Sequence, residues 1–460
     1  MLWAWSAMLA LLCTLISYPG IWYSDSYVRV TTGEAVLNAV VKMLKGHRAL
    51  LETHNAFSLI PSFFIAASLG ATGHVAFYTF AQAFAFFAAI FLLIRELCPP
   101  GWKLQCVFFA VCPLIYGASV YYEANIGSAV GMIVLILLFR RISEKKTQGE
   151  RIIEFCLIAF ASLVTFGYRT NALTILPVLL IYLWKTQKKK MQRFLPVLAV
   201  TCGLLLTWLI PVIVGVHSES NGSVGFIWEI VTAIQRMEPE DQAACQDYLD
   251  DISREGTTRE FIESSTEVSA NSFMWSEAMN SAELSAPGTM GRVAGKYLRL
   301  LWEHPREWFS VKKDFVLRAL GMREKLDFSE YDYNRWESMD QYGFNDSLQR
   351  RLFHRSYVRT NELLGFYTCR PWVPFLISLI MILIERFRKN KKQGLYTLLF
   401  WMAAFYYGAY LIVIVGFELR FFYPALLLLM MLDCAVMLEW IRALFQAIRR
   451  KSTHGKDSQL

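Results

Sequence analysis

Charge is what this chain has least of: Asp, Glu, Lys and Arg together make up 18% of its 460 residues, against 55% hydrophobic residues. Metal-type Cys or His spacing is missing, which leaves a metal without a sequence signature. A disulfide framework is missing too. Of nine cysteines, seven lie in or beside apolar runs as small core residues, and only Cys245 and Cys369 face outward, a pair not expected to bridge. There is no internal repeat and no low-complexity tract, which speaks against the paired halves of many secondary transporters. The first apolar block, 2–17, has neither the basic start nor the small-residue cleavage site of a secretory signal, so it reads as a retained first span.

What the chain does have is long apolar blocks, and about 20 apolar residues cross ~30 Å of hydrocarbon. They run over 2–17, 56–71, 74–94, 105–119, 125–139, 152–167, 171–184, 194–216, 371–385, 395–415 and 421–441. If all eleven crossed, the basic loops would alternate between sides, which the positive-inside rule disfavours. The block 56–71 is short, carries Pro61 and ends in Gly70, and so fits a helix in the membrane interface. Ten spans remain, with both termini cytoplasmic. The inner loops and tail then hold 22 Lys and Arg, against 6 in the short outer loops (Arg29, Lys42, Lys45, Arg48, Arg169, Arg420). The net charge of +8 is thus a signal of membrane orientation that meets anionic lipid, and nucleic acid is excluded as its partner.

The expected architecture is an all-α polytopic membrane protein in three parts. Residues 1–216 form an N-terminal transmembrane module with a first outer loop over 20–73. Residues 217–370 form an extracytoplasmic loop domain, and 371–460 form the C-terminal spans with a basic cytoplasmic tail. The loop domain carries 18 Lys and Arg and 25 Asp and Glu, so it is acidic where the rest is basic. Within it, 291–321 has apolar residues at helical spacing on both sides of Pro305. Two amphipathic helices are expected to meet at His304, either resting on the membrane surface or packing into the loop domain's own core.

Several polar residues gather at the outer ends of spans. Asp25 lies just past the first span and His54 just before the interfacial block. A carboxylate at the bilayer edge is partly desolvated, as suits a general base, although an Asp after Pro19 and Gly20 also suits a plain turn. The turn SVYYEANIG holds Glu123, which equally favours the start of the next helix. The turn FGYRTNALTILP holds Arg169 and Asn171, and VGFELRFFYPALL holds Glu418, Arg420 and Tyr423. Arginines there oppose the positive-inside bias, and either snorkelling to lipid phosphate or a substrate phosphate explains them. Glu418 and Arg420 also fit a pair closed on itself. Asp433, deep in the last span, fits a hydrogen bond to a neighbouring span and is left out of the site.

The order of first span, acidic first outer loop, interfacial helix, second acidic outer turn and large late outer domain resembles the C-type (GT-C) superfamily of integral membrane glycosyltransferases. The segments YPGIWYSDSY, THNAFSLIPSFF, YYEANIG, YRTNALTILP, WEHPREWF and ELRFFYP are similar to recurrent segments of its bacterial polytopic members. The resemblance runs over most of the spans and leaves out 217–290. It implies a bacterial plasma-membrane enzyme that transfers a sugar from a polyprenyl phosphate-linked donor, on the extracytoplasmic face, to a cell-surface glycan, a glycolipid or a protein. Asp25 matches the first-loop acid that orients or deprotonates the acceptor, and Glu123 the acid of the second outer loop, where Asp is commoner. Arg169 and Arg420 match basic groups beside the donor phosphate; His54, Asn171, Glu418 and Tyr423 are substrate-binding candidates.

Two departures stand out. Ser24-Asp25-Ser26 lacks the adjoining second carboxylate of several branches, so a divalent metal has no support in the residues. His54-Asn55 stands where His-Pro is common. Rival readings are a flippase or transporter of lipid-linked saccharides, which needs the arginines but no base, and a polymerase or ligase that uses a longer lipid-linked donor.

Overall fold

The computed structural model describes residues 2–18, 24–46, 54–55, 59–98, 123–142, 147–214, 217–218, 222–250, 252–266, 270, 276–280, 283, 286, 288–327 and 348–457. In chain order the helices are α1 Leu2–Ile16, α2 Ser24–Leu44, α3 Leu59–Thr72, α4 Ala76–Leu97, α5 Glu123–Arg140, α6 Gln148–Tyr168, α7 Leu176–Thr186 and α8 Lys190–Val214. They continue with α9 Gly222–Gln235, α10 Pro239–Ala244, α11 Thr258–Ser264, α12 Thr289–Glu303, α13 Pro305–Ala319, α14 Leu348–Thr368, α15 Trp372–Phe387, α16 Gln393–Ile412 and α17 Leu419–Asp457. Two strands of two residues, β1 His54–Asn55 and β2 His217–Ser218, pair in parallel. The all-helical expectation therefore holds for the described residues, as lipid demands of a backbone that must satisfy its own hydrogen bonds.

Five helices are long and apolar enough to cross a membrane: Ala76–Leu97, Gln148–Tyr168, Gln192–Val214, Gln393–Ile412 and Leu419–Ile448. A sixth crossing is available if Val358–Thr368 and Trp372–Phe387, which meet at a 57° bend, act as one. Ten spans are thus more than length and hydropathy deliver among the described residues. Leu2–Ile16, Leu59–Thr72, Ala124–Arg140, Thr170–Thr186 and Ser223–Gln235 are apolar but shorter, and the expected span at 105–119 lies outside the described residues. The interfacial block appears as α3, only 14 residues long. The first outer loop contains a helix that hydropathy did not announce, α2, packed along α3 so closely that a Cβ on Gly33 would stand 2.8 Å from Ile65.

The bundle is built around α17, whose apolar part is largely buried against α4, α5, α15 and α16. The crossing of α6 with α8 needs a small residue, since a Cβ on Gly203 would meet the Ala159 carbonyl at 2.4 Å. Thr147 and Glu150 start α6 with a reciprocal capping box. At the basic end of the bundle, the Lys392 ammonium donates to the Leu97 carbonyl (2.6 Å) and to Glu439 (2.6 Å). It thereby satisfies an orphan carbonyl at the end of α4. Asp433 on α17 accepts from Tyr367 on α14 (2.7 Å) and Ser378 on α15 (2.5 Å), so one carboxyl holds both sides of the 57° bend.

The loop domain is organised on α9. Trp228 packs on Phe315 (ring centroids 4.3 Å apart) and Phe417 (5.4 Å). The buried Glu229 pairs with Lys312 (2.7 Å) and accepts from Tyr297 (2.5 Å), while Lys312 also donates to the Ile412 carbonyl at the end of α16 (2.7 Å). Burial holds the Glu229 carboxyl above its usual range, against the opposing pull of Lys312. The amphipathic pair meets at His304 as expected. Its faces Val293, Tyr297 and Leu300 on α12, and Val311 and Phe315 on α13, are buried against α9 in the domain core.

Removing one partner of a buried ion pair strands the other charge, at a cost on the order of 3–5 kcal/mol. Lys312→Met should therefore lower the thermal midpoint of the purified protein by several degrees. The double variant Glu229→Gln/Lys312→Met should recover most of that loss, as a thermal melt of both proteins will show.

Candidate functional site

Three connections far apart in sequence meet at one end of the bundle. The first is the end of α6, where Tyr168 is followed by Arg169 in extended conformation (φ −145°, ψ 118°) and then by a 3₁₀ turn over Thr170–Ile175. The second is the start of α5, which Glu123 opens. Ala124 packs with Tyr168 and with Ile60 of α3. The third is the link from α16 to α17, residues 413–418. Gly127 allows the first two to approach, since a Cβ there would lie 2.1 Å from the Tyr168 ring. Tyr168 completes the contact with a hydroxyl–hydroxyl hydrogen bond to Tyr78 (3.1 Å).

Both candidate arginines converge on Phe421. The Arg420 guanidinium carbon stands 4.8 Å from the ring centroid and that of Arg169 5.9 Å, each within cation–π range. Phe421 in turn stacks on Tyr410 (4.8 Å). Arg420 is paired with the buried Glu418, so that turn is partly closed on itself. Arg169, Asn171 and Ser128 lie close to the buried Tyr406 hydroxyl. Tyr423 is buried in α17.

The turn holding Glu418 is braced from both sides. Tyr410 donates to the Gly416 carbonyl. The backbone of Asp327 pairs with it, its amide donating to Phe417 (2.9 Å) and its carbonyl accepting from Leu419 (2.7 Å). This contact carries the loop domain directly onto the site.

Asp25 is the second residue of α2, and His54 lies in β1 with His217 as its register partner. The side chains of Asp25, His54 and Glu123 lie outside the described residues. Two residues were not among the site candidates. Arg29, one turn after Asp25, is only 5% exposed on α2 next to Val30, which packs on Ile65 of α3. The helical periodicity of VRVTTGEAV was the available signal. His217 is the other, and no local pattern announces a two-residue pairing across 163 positions of chain.

Two other features stand apart. Cys245 lies 3.4 Å from the His304 ring, but burial, with Asp247 and Asp241 beside it, pushes its thiol up, the opposite of what a nucleophile requires. Neither Cys245 nor Cys369 is bridged. A polar cleft of 880 Å³ opens in the loop domain, lined by Asp250, Arg254, Thr258, Asn280 and Arg292 among others; it is not at the arginine junction. Among the described residues no cluster of His, Cys, Asp and Glu suits a metal. No family profile, no curated protein and no solved structure matches this chain.

Gly127→Ala should force the Tyr168 ring away and break its bond to Tyr78, a loss of about 1–3 kcal/mol from overpacking. Gly408→Ala on α16, where a Cβ meets nothing within 4 Å, should be neutral or stabilising by about 0.5–1 kcal/mol. Thermal midpoints of the two variants, measured side by side, check the contrast.

Proposed function

We propose that this chain is a membrane glycosyltransferase of the GT-C type, moving a sugar from a polyprenyl phosphate-linked donor to a glycan, glycolipid or protein acceptor on the extracytoplasmic face of a bacterial plasma membrane. One observation carries the reading: Arg169 and Arg420, 251 positions apart in sequence, face the same Phe421 ring at a rim next to the helix that Glu123 opens. Guanidinium groups offer forked donors to phosphate, and lipid chemistry at a bilayer edge is where an anionic headgroup presents itself. In this reading Leu2–Ile16, Ala124–Arg140, Thr170–Thr186 and α15 cross with the five long helices, and the expected span at 105–119 completes ten.

The reaction is a single displacement. Asp25 takes the proton of an acceptor hydroxyl, that oxygen bonds to the anomeric carbon, and the bond from that carbon to the phosphate oxygen breaks. The lipid phosphate leaves with the electron pair. Arg169, with Arg420, stabilises the charge on it, and Glu123 orients the acceptor. A phosphate needs no general acid, and no metal enters the sequence of steps.

A second reading, a flippase for lipid-linked saccharides, has one observation in its favour. The 57° bend between α14 and α15, held by the buried Asp433, resembles the discontinuous helices of transporters. A polymerase or ligase would share the transferase site and differ in the length of its donor.

Membranes containing wild type or Asp25→Asn, supplied with a panel of radiolabelled polyprenyl phosphate sugars, separate these readings. The transferase predicts label in an acceptor fraction and a fall of about 10²–10⁴-fold in the variant at equal expression. Unchanged transfer by Asp25→Asn would remove Asp25 as the base. Donor movement across the membrane without any transfer would favour the flippase.

A further inference from the structure

The helix α14 has a surface that the catalytic reading leaves unused. Arg351, Arg355 and Arg359 recur every four residues, and all three are exposed. Further along, Leu363 is 85% and Phe366 66% exposed, on the same side of the helix by their spacing. Glu362 also lies on this side, so the face bears three arginines and one acid. With Leu352 (52% exposed) beside the arginines, the face is mainly cationic in its first half and mainly apolar in its last turn, and is not divided around its circumference as an ordinary surface helix is.

The bend explains this division. With α15 along the bilayer normal, its 16 residues span about 24 Å of the ~30 Å hydrocarbon thickness. The remaining ~6 Å must be crossed by α14, which leaves α15 at 57° and so climbs about 0.8 Å per residue along the normal. That distance takes in roughly its last seven residues, from Glu362 onward. These are the residues where the exposed side chains, Glu362 apart, turn to Leu363, Leu364 and Phe366. Arg359 then stands roughly 7 Å above Thr368, Arg355 ~11 Å and Arg351 ~14 Å, at the depth of lipid phosphates. Tyr367 fixes this depth through its hydrogen bond to Asp433.

We propose that the exposed face of α14 is a docking surface for an anionic phospholipid of the leaflet opposite the basic loop 386–392: Arg351, Arg355 and Arg359 take the headgroup phosphate, while Leu363 and Phe366 lie along its acyl chains. The proposal is independent of the transferase reading, because none of these residues belongs to that site.

The full-length protein, purified with lipid and examined by native mass spectrometry, tests it. Wild type should retain phosphatidylglycerol over phosphatidylcholine. Arg355→Gln/Arg359→Gln should lower that retention about tenfold, whereas Arg355→Lys/Arg359→Lys, which keeps the charge, should stay within about threefold. Equal retention of the two lipids by wild type, or no loss in the glutamine variant, would overturn the proposal. Displacement of the lipid by millimolar inorganic phosphate would also overturn it, in favour of a free anion site. A benzoyl-phenylalanine photocrosslinker at Leu363 supplies a second reading on a protein that keeps its arginines. Capture of lipid is expected, and capture of a protein chain would show a protein interface instead.

Discussion

The rim depends on how residues 413–421 are held. This link leaves α16 and enters α17 with its backbone secured by Tyr410 from one side and Asp327 from the other, while Glu418 and Arg420 pair within it. Phe421 is thereby placed within reach of both guanidinium groups. A loop at a bilayer edge has little water to satisfy its polar groups, so each such bond counts for more than on an aqueous surface. Loosening this link would free Phe421, and with it a contact shared by Arg169 and Arg420.

The same link joins the two halves of the molecule. Lys312 reaches the last carbonyl of α16 and Trp228 packs on Phe417, so the loop domain and the spans share one hydrophobic core. The acidity of 217–370 is then not a property of a tethered globule. It belongs to a cap set directly on the rim, with Glu229 and Asp314 buried against Lys312, Arg236, Arg318 and Arg323.

Much of this was legible in the sequence because lipid is a severe solvent. Blocks such as 395–415 and 421–441 announce α16 and α17, and Pro305 announces the break at His304, since neither apolar continuity nor a proline has many structural meanings there. Hydropathy placed Arg169, Asn171, Glu418 and Arg420 at the ends of apolar blocks, and Arg169 and Arg420 lie together at Phe421. The helix α2 was missed, because its polar and apolar residues average to near-neutral hydropathy and its stability comes from packing on α3. Arg29 was hidden with it. Length and hydropathy deliver five or six of the ten expected spans among the described residues, because Leu2–Ile16, Ala124–Arg140 and Thr170–Thr186 are apolar but short and 105–119 lies outside those residues. The α14–α15 bend depends on Asp433, Tyr367 and Ser378 meeting from three helices, which no local pattern encodes.

The central claim is that the junction of Arg169, Arg420 and Phe421 receives a lipid phosphate. The most direct measurement is equilibrium binding of a radiolabelled short-chain polyprenyl phosphate, and of the parent alcohol, to the purified protein and to Arg169→Gln. The account predicts that the phosphate binds wild type about tenfold or more tightly than the alcohol, and that Arg169→Gln loses most of this preference while still binding the chain. Equal affinity for phosphate and alcohol, or a preference untouched by Arg169→Gln, would contradict it.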